Sequence, residues 1–273
     1  MKYNITNRFS ALFLIAFAVL TFSSVSQAQI LSRGDLFGPG APPPLAGVEI
    51  GIGQHSEMGT LDCNCGSQFT GGSGKGFLAQ LFFELPLDYE WAIGIKGGID
   101  FKNFSATIPY GELVVIPIPN TANEDTTVPM SDNRVANIKT TYLDFAPYLQ
   151  YQFFRMGPFV QAGLDVGFLM SKSFSQTREL PEGSSAFIRG QTDNNLTFTN
   201  GTLSQDIGIS TTASSLRLGL LLSAGYNIQI SERSIFSPLI TYDFPLNAAG
   251  STGGSDWKIG SLYASALIKF QLN

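Results

Sequence analysis

Few residues in this 273-residue chain have the type and spacing for chemistry. The one histidine, His55, is followed by Ser56 and Glu57. Histidine with a serine and a carboxylate is the set that hydrolases use to activate a nucleophile. On an extended chain, however, adjacent side chains point to opposite faces, so His55 and Ser56 cannot meet. A triad would need partners from other segments, and no motif marks them; an aspartate–histidine protease pair fails on the same ground. His55 therefore reads as a polar residue at a loop edge, and no catalytic residue is assigned.

The only cysteines, Cys63 and Cys65, lie in LDCNCGSQFTGG. Two thiolates one residue apart could hold a soft metal, but no second cysteine pair or histidine completes a tetrahedral site. Outside the cytoplasm the two can form a local disulfide, although so small a ring is strained and reducible. Free thiols are the third reading. Neither a metal nor a cofactor is assigned.

The remaining candidates are charges set at alternate positions among apolar residues: Glu49, Glu84, Lys96, Asp100, Lys102, Asp144, Asp165, Arg217, Asp243 and Lys269. The elements that hold them alternate too. In YLDFAPYLQYQFFRMGPFVQAGLDVGFL, residues 142–169, every second residue is apolar, which marks strands with two unlike faces around a tight turn. Eight such runs follow one another. They start from Val48, Phe77, Trp91, Leu143, Val160, Leu216, Phe236 and Leu262. Short turns join the second to the third, the fourth to the fifth and the sixth to the seventh. Longer connections (54–74, 104–137, 171–214 and 247–256) join the others. Short turns at one end and long loops at the other are how outer-membrane barrels are built. The expectation is an all-β fold: an eight-stranded antiparallel up-and-down transmembrane β-barrel with short periplasmic turns and long extracellular loops.

The ends and the composition agree. Lys2 and Arg8, an apolar stretch from Ala11 to Phe22 and the small-residue site Ser26-Gln27-Ala28 read as a signal peptide over 1–28, implying export. Residues 29–46 read as a Pro/Gly-rich extension and 47–273 as the barrel domain. No later apolar run approaches the roughly 20 residues of a helical span. Charged residues make up 14% of the chain, too few for the surface of a soluble protein of this size. The acidic balance, without a basic cluster, argues against nucleic acid.

Volume decides which face is wet. Eight strands enclose a bore barely wide enough for side chains, and the apolar set is mostly Leu, Ile, Phe, Tyr and Trp. The alternate set holds Gly51, Gly94, Gly163, Gly219 and other small residues. The bulky set must then face lipid, and the glycines, serines and charges must face the bore. Trp91, Tyr151, Phe153, Tyr226, Phe236 and Phe270 would form one interfacial girdle. Phe77, Phe101, Phe168, Tyr242, Phe244 and Trp257 would form the other. Buried charges are costly unless paired, so a lumen network is expected, with Glu49 on Lys269, Lys102 on Asp144 and Asp165 on Arg217. Such a network is either a polar plug that specifies register or a gated ion or proton path.

Tyr142, Leu143, Asp144, Phe145, Pro147, Leu149, Tyr151 and Phe153 resemble a strand of PorT-like outer-membrane barrel domains, in the porin family of small barrels. The last strand, SLYASALIKFQLN, resembles the closing strand that barrel-assembly machinery engages. The resemblance implies the fold, a bacterial outer-membrane location, and outer-membrane lipids and that machinery as partners. It implies little about activity, because such barrels serve several ends. The expected role is structural or surface-interacting and not enzymatic. An extracellular ligand or secretion partner would be met through loops 104–137 and 171–214. A narrow pore, a secretion-complex component and a lipid-modifying barrel enzyme are the alternatives.

Overall fold

The computed structural model describes residues 43–272 apart from 64–65, 118–124, 155, 181–195, 200–201 and 207–210. The expected signal peptide, most of the 29–46 extension, Cys65 and parts of the two long loops lie outside the described residues. Eight long strands carry the fold: β1 (Leu45–Gly59), β2 (Ser73–Pro86), β3 (Trp91–Pro117), β4 (Asp125–Gln152), β5 (Pro158–Leu180), β6 (Leu216–Tyr226), β7 (Ser234–Pro245) and β8 (Ser255–Gln271). Each pairs antiparallel with the next, and β8 pairs with both β7 and β1, from Leu45↔Gln271 to Gly59↔Trp257. The ring is closed, which leaves no free edge along its staves.

The turn end is built from local chemistry. Asp88 Oδ1 accepts the backbone N–H groups of Glu90 and Trp91 at 2.7 and 2.6 Å, fixing the β2–β3 turn as an Asx cap. Gly157, with φ of 129°, supplies the left-handed residue that the β4–β5 turn needs.

The loop end departs from expectation. The connection expected over 104–137 is largely strand: β3 and β4 stay in register from Asn103↔Lys139 to Pro117↔Asp125. β5 continues to Leu180 and pairs with a short strand, Thr202–Asp206. β1 likewise runs on to Gly59, and the short connection after it holds a miniature hairpin, Leu61–Asp62 with Gln68–Phe69. The reason is legible in the side chains. Up to Phe101, apolar residues sit on the outward positions of β3. Beyond it the outward positions are Asn103, Ser105 and Thr107, while Phe104, Ala106 and Ile108 point inward. The alternation persists but changes sign, so a search for one continuous apolar face stops there.

β5 changes sign by a different device. Thr141 pairs with Ser171 and Tyr142 with Leu169, leaving Met170 as a bulge. An extra residue swaps the faces of everything after it. Phe168 is therefore exposed on the outer wall, whereas Phe174 packs against the inner cluster.

Two environments result. Around the belt, outward apolar residues such as Ile50, Ile52, Leu81 and Leu164 remain more than half exposed on the outer wall. Above it, Leu61, Phe69, Phe104, Ile138, Trp257 and Ile259 fill the interior as a dry cluster. Trp257 belongs to that cluster with no exposed surface, not to the interfacial girdle expected of it. It stands on the inward parity of β8 with Ile259 and Ser261, and Phe104 and Phe174 pack around its ring.

Candidate functional site

The bore is where the charged residues meet, in two layers with an apolar plug beside the lower one. All ten residues expected there are buried: Glu49, Glu84, Lys96, Asp100, Lys102, Asp144, Asp165, Arg217, Asp243 and Lys269.

Nearest the turn end, Lys269 of β8 reaches Glu84 of β2 at 3.1 Å, passing the register position of Gly47, which has no side chain to block it. Lys96 of β3 pairs with Glu49 of β1 at 2.8 Å and donates to Gln161 at 3.0 Å. Gln161 donates to Gln150, and Tyr148 donates to Glu84 at 2.9 Å. Two acids and two bases balance in this layer. Phe82, Phe159, Leu239 and Leu267 make an apolar plug at the same end, with Lys269 Nζ lying 5.0 Å from the Phe159 ring centroid.

Towards the loop end, Arg217 of β6 holds Asp165 of β5 at 2.5 Å through Nη1 and Asp243 of β7 through Nη2. Lys102 pairs with Asp100 at 2.7 Å and Asp243 at 3.0 Å, and donates to Ser261 and Tyr263. Tyr263 in turn donates to Asp100 at 2.6 Å. Asp144 is placed here beside Gly167, with Oδ1 lacking a hydrogen-bond partner.

Of the three expected pairs, the structure brings Asp165 and Arg217 together. The other two are corrected. Glu49 takes Lys96 in place of Lys269, which lies one inward position nearer the turn end, opposite Gly47. Lys102 takes Asp100 and Asp243 in place of Asp144. Its register partner on β4 is Thr140, four residues or roughly 13 Å along the strand from Asp144. Pairing within one strand or across the bore is shorter than the expected route.

His55 is also corrected. It is fully buried on the inward face of β1, not placed at a loop edge, and its Nδ1 lies 2.8 Å from Ser261 Oγ. Ser56 points outward, as an extended chain requires. A histidine–serine contact therefore exists, but with Ser261 and inside the bore. Trp257 and Ile259 of the cap are the next inward residues above Ser261 on β8.

Tyr148, Tyr263, Gln150, Gln161, Ser261 and His55 were not assigned to the network from sequence. The signal that finds them is parity, since each shares the inward positions of a charged residue on its own or a paired strand.

Above the belt, Glu57 accepts the Gly72 N–H at 3.0 Å. Burial raises its carboxyl above the usual range, partly offset by that bond. A further unforeseen ion cluster lies higher, where Asp132 meets Arg134 at 3.0 Å and also Arg178. Cys63 is disulfide-bonded and buried beneath Gln176, whose amide donates to its sulfur; the candidate partner Cys65 lies outside the described residues. Among the described residues, no group of three or more His, Cys, Asp or Glu is placed to hold a metal.

No curated protein matches the chain. Among solved structures it is similar to OprG from Pseudomonas aeruginosa, at 12% identity over 85% of this chain and 98% of that one, TM-score 0.42. Ail, the attachment invasion locus protein of Yersinia pestis, matches at 11% identity over 84% and 99%, TM-score 0.32. The outer membrane protease OmpT from Escherichia coli matches at 9% over 87% and 100%, TM-score 0.33. At such scores neither fold nor role is inferred from them. Residues 46–249, most of the chain, match the outer membrane protein beta-barrel domain. With the closed eight-stranded ring, its apolar outer belt and its polar bore, the chain belongs to the outer membrane protein beta-barrel family and resides in the bacterial outer membrane.

Proposed function

We propose that this protein is a closed, non-enzymatic barrel of the PorT-like kind, with a surface-interaction role carried by the part that rises above the membrane. The observation that supports this reading is the filled bore. Lys102, Arg217 and Lys269 have no exposed surface, an apolar plug lies at one end and a dry cap at the other. An ion would have to displace paired charges or part a packed core, each costing several kcal/mol. The walls meanwhile continue well past the belt. From Phe101 to Pro117, β3 extends roughly 50 Å along the strand, more than anchoring needs. Long structure on a rigid scaffold is where binding usually resides. In this reading residues 1–28 are removed on export, and barrel-assembly machinery inserts the remainder.

Planar-bilayer recording of the purified barrel tests the reading. A silent membrane is expected. Stable conductance steps that change with Arg217→Ser would replace it with a narrow pore. An altered outer-membrane lipid profile abolished by His55→Ala would replace it with a lipid-modifying enzyme. Co-purification of a secretion assembly, lost when 104–137 is shortened, would identify the surface partner.

A further inference from the structure

We propose that the open edge of β3 between Pro109 and Pro117 takes up an extended segment of a partner protein as an added strand. The inference rests on the surface-interaction reading above and names the class of partner. Above the belt the ring is no longer closed. The last residues that β2 and β3 share are Ser73 and Ser105, whereas β3 and β4 stay paired up to Pro117↔Asp125. Among the described residues, no strand pairs with the other side of β3 from Thr107 to Pro117. In the opposite direction the upper sheet continues through β5 to the strand Thr202–Asp206, so β3 is its bare margin.

Proline fixes which backbone groups face that margin. In an antiparallel sheet, successive residues turn their N–H and carbonyl alternately to one neighbour and to the other. Pro109 has no N–H, yet pairing with β4 runs through it unbroken, from Ile108↔Arg134 to Tyr110↔Asp132. The even residues therefore bond to β4, and the odd ones present their backbone groups to the open side. Gly111, Leu113 and Val115 each offer an N–H and a carbonyl there. Pro109 and Pro117, of the same parity, offer no donor. Prolines are a common means of closing a sheet edge to intruders. Here they stop the edge at both ends and leave its middle open, over a length that suits a docked strand of about five residues. The equivalent margin of β4 is interrupted by Pro129, opposite Leu113. Gly111 lies roughly 33 Å along the strand from Phe101, so the open stretch stands clear of the membrane.

Sequence states the chemistry of the partner. The open stretch reads Leu113-Val114-Val115-Ile116, aliphatic and rich in β-branched residues, which pair best with their own kind across a ladder. From Tyr110 to Ser131 the chain carries Glu112, Glu124 and Asp125 and no base. The segment that fits is an extended aliphatic strand flanked by lysine or arginine, added at the edge through main-chain bonds. A second copy in the same membrane fits less well. Its β3 would run in the same direction, where the ladder is weaker, and would set acid against acid.

The test uses the full-length barrel in phosphatidylcholine nanodiscs and a labelled synthetic peptide, Lys-Val-Thr-Val-Thr-Val-Lys, followed by fluorescence anisotropy. Saturable binding is expected, with a loss of at least about tenfold when Leu113→Pro and Val115→Pro are combined. Each substitution removes an edge-facing N–H and leaves the bonds to β4 in place. A heat-dependent gel shift verifies that the variant is folded. The same peptide N-methylated at every inner residue keeps its side chains and charge but cannot form a ladder, and should not bind the unaltered barrel. Equal binding of the methylated peptide, undiminished binding by the proline variant, or no binding of either peptide would overturn the proposal. Barrel dimers that form without peptide and are lost in the proline variant would also overturn it, by giving the edge to a second copy. Planar-bilayer conductance tests the closed-barrel reading separately, so failure of that reading and failure of this one are told apart.

Discussion

Gly94 of β3 and Tyr148 of β4 share one register position, and the tyrosine ring occupies the space that a side chain at 94 would need. A Cβ at 94 would lie 2.4 Å from Tyr148 Cζ. The ring is held there because its hydroxyl donates to Glu84 at 2.9 Å. Gly94→Val should therefore overpack the bore and cost about 1–3 kcal/mol, read as a lower urea midpoint in lipid vesicles. Gly97→Ala, on the outward face of the same strand, should be near neutral, since its Cβ would meet the Phe145 ring at 3.5 Å and the Asp144 carbonyl oxygen at 3.7 Å, both ordinary contacts. Equal losses from the two would contradict the inward–outward assignment.

Arg217 is expected to be the most sensitive charge in the bore. Replacing it with methionine strands buried Asp165 and leaves buried Asp243 with Lys102 alone, and breaking such a pair costs about 3–5 kcal/mol. Adding Asp165→Asn and Asp243→Asn should recover part of the loss, and the sum should be strongly non-additive because Asp243 also serves Lys102. Equilibrium unfolding of the single and triple variants measures this.

The cap and the belt should separate as units of stability. Trp257→Ala removes the largest side chain of the upper cluster, at a cost of about 3–5 kcal/mol if the site does not collapse. Hydrogen exchange should quicken in β3 and β4 beyond Phe104, while amides between Ile93 and Phe101 stay protected. Uniform loss of protection along the staves would show a single cooperative unit.

Glu57 should make the cap sensitive to pH. Burial raises its carboxyl in the folded barrel, so the fold binds more protons than the unfolded chain between the ordinary and the raised value. Stability contributed by Glu57 is thus greatest on the acid side and falls as pH climbs through that window. Glu57→Gln keeps an acceptor for the Gly72 N–H and should flatten the dependence. Thermal midpoints of wild type and variant across about pH 4 to 8 test it. A wild-type profile that rises through the same window would reverse the sign.

Much of this was legible because a membrane barrel writes its solvent into every second residue. Ile93, Ile95, Ile99 and Phe101 on one parity of β3, against Lys96, Asp100 and Lys102 on the other, specify both the strand and its lipid side. The same logic misplaced Trp257 and ended β3 near Phe104, because it assumed one polarity along the whole stave. Above the bilayer water is outside, so Phe104, Ala106 and Ile108 move to the inner positions without any break in the strand. The single-residue bulge at Met170 produces the same exchange by geometry.

The bore was readable as composition but not as partnership. All ten charged residues could be placed inside by parity, yet Glu49–Lys96 and Lys102–Asp243 join strands that are not neighbours. Such contacts depend on shear, on side-chain reach and on where Gly47 leaves a passage, none of which is periodic. His55 was misjudged for a related reason. Its neighbours in sequence are Gln54 and Ser56, whereas its neighbours in space are Ser261 and Tyr263. Alternation by itself determined the class of fold, the closure into eight staves and the side that meets lipid, since these follow from a period of two and a volume. Only the closed ring decided which acid meets which base, because it brings together across the bore residues that lie far apart along the chain.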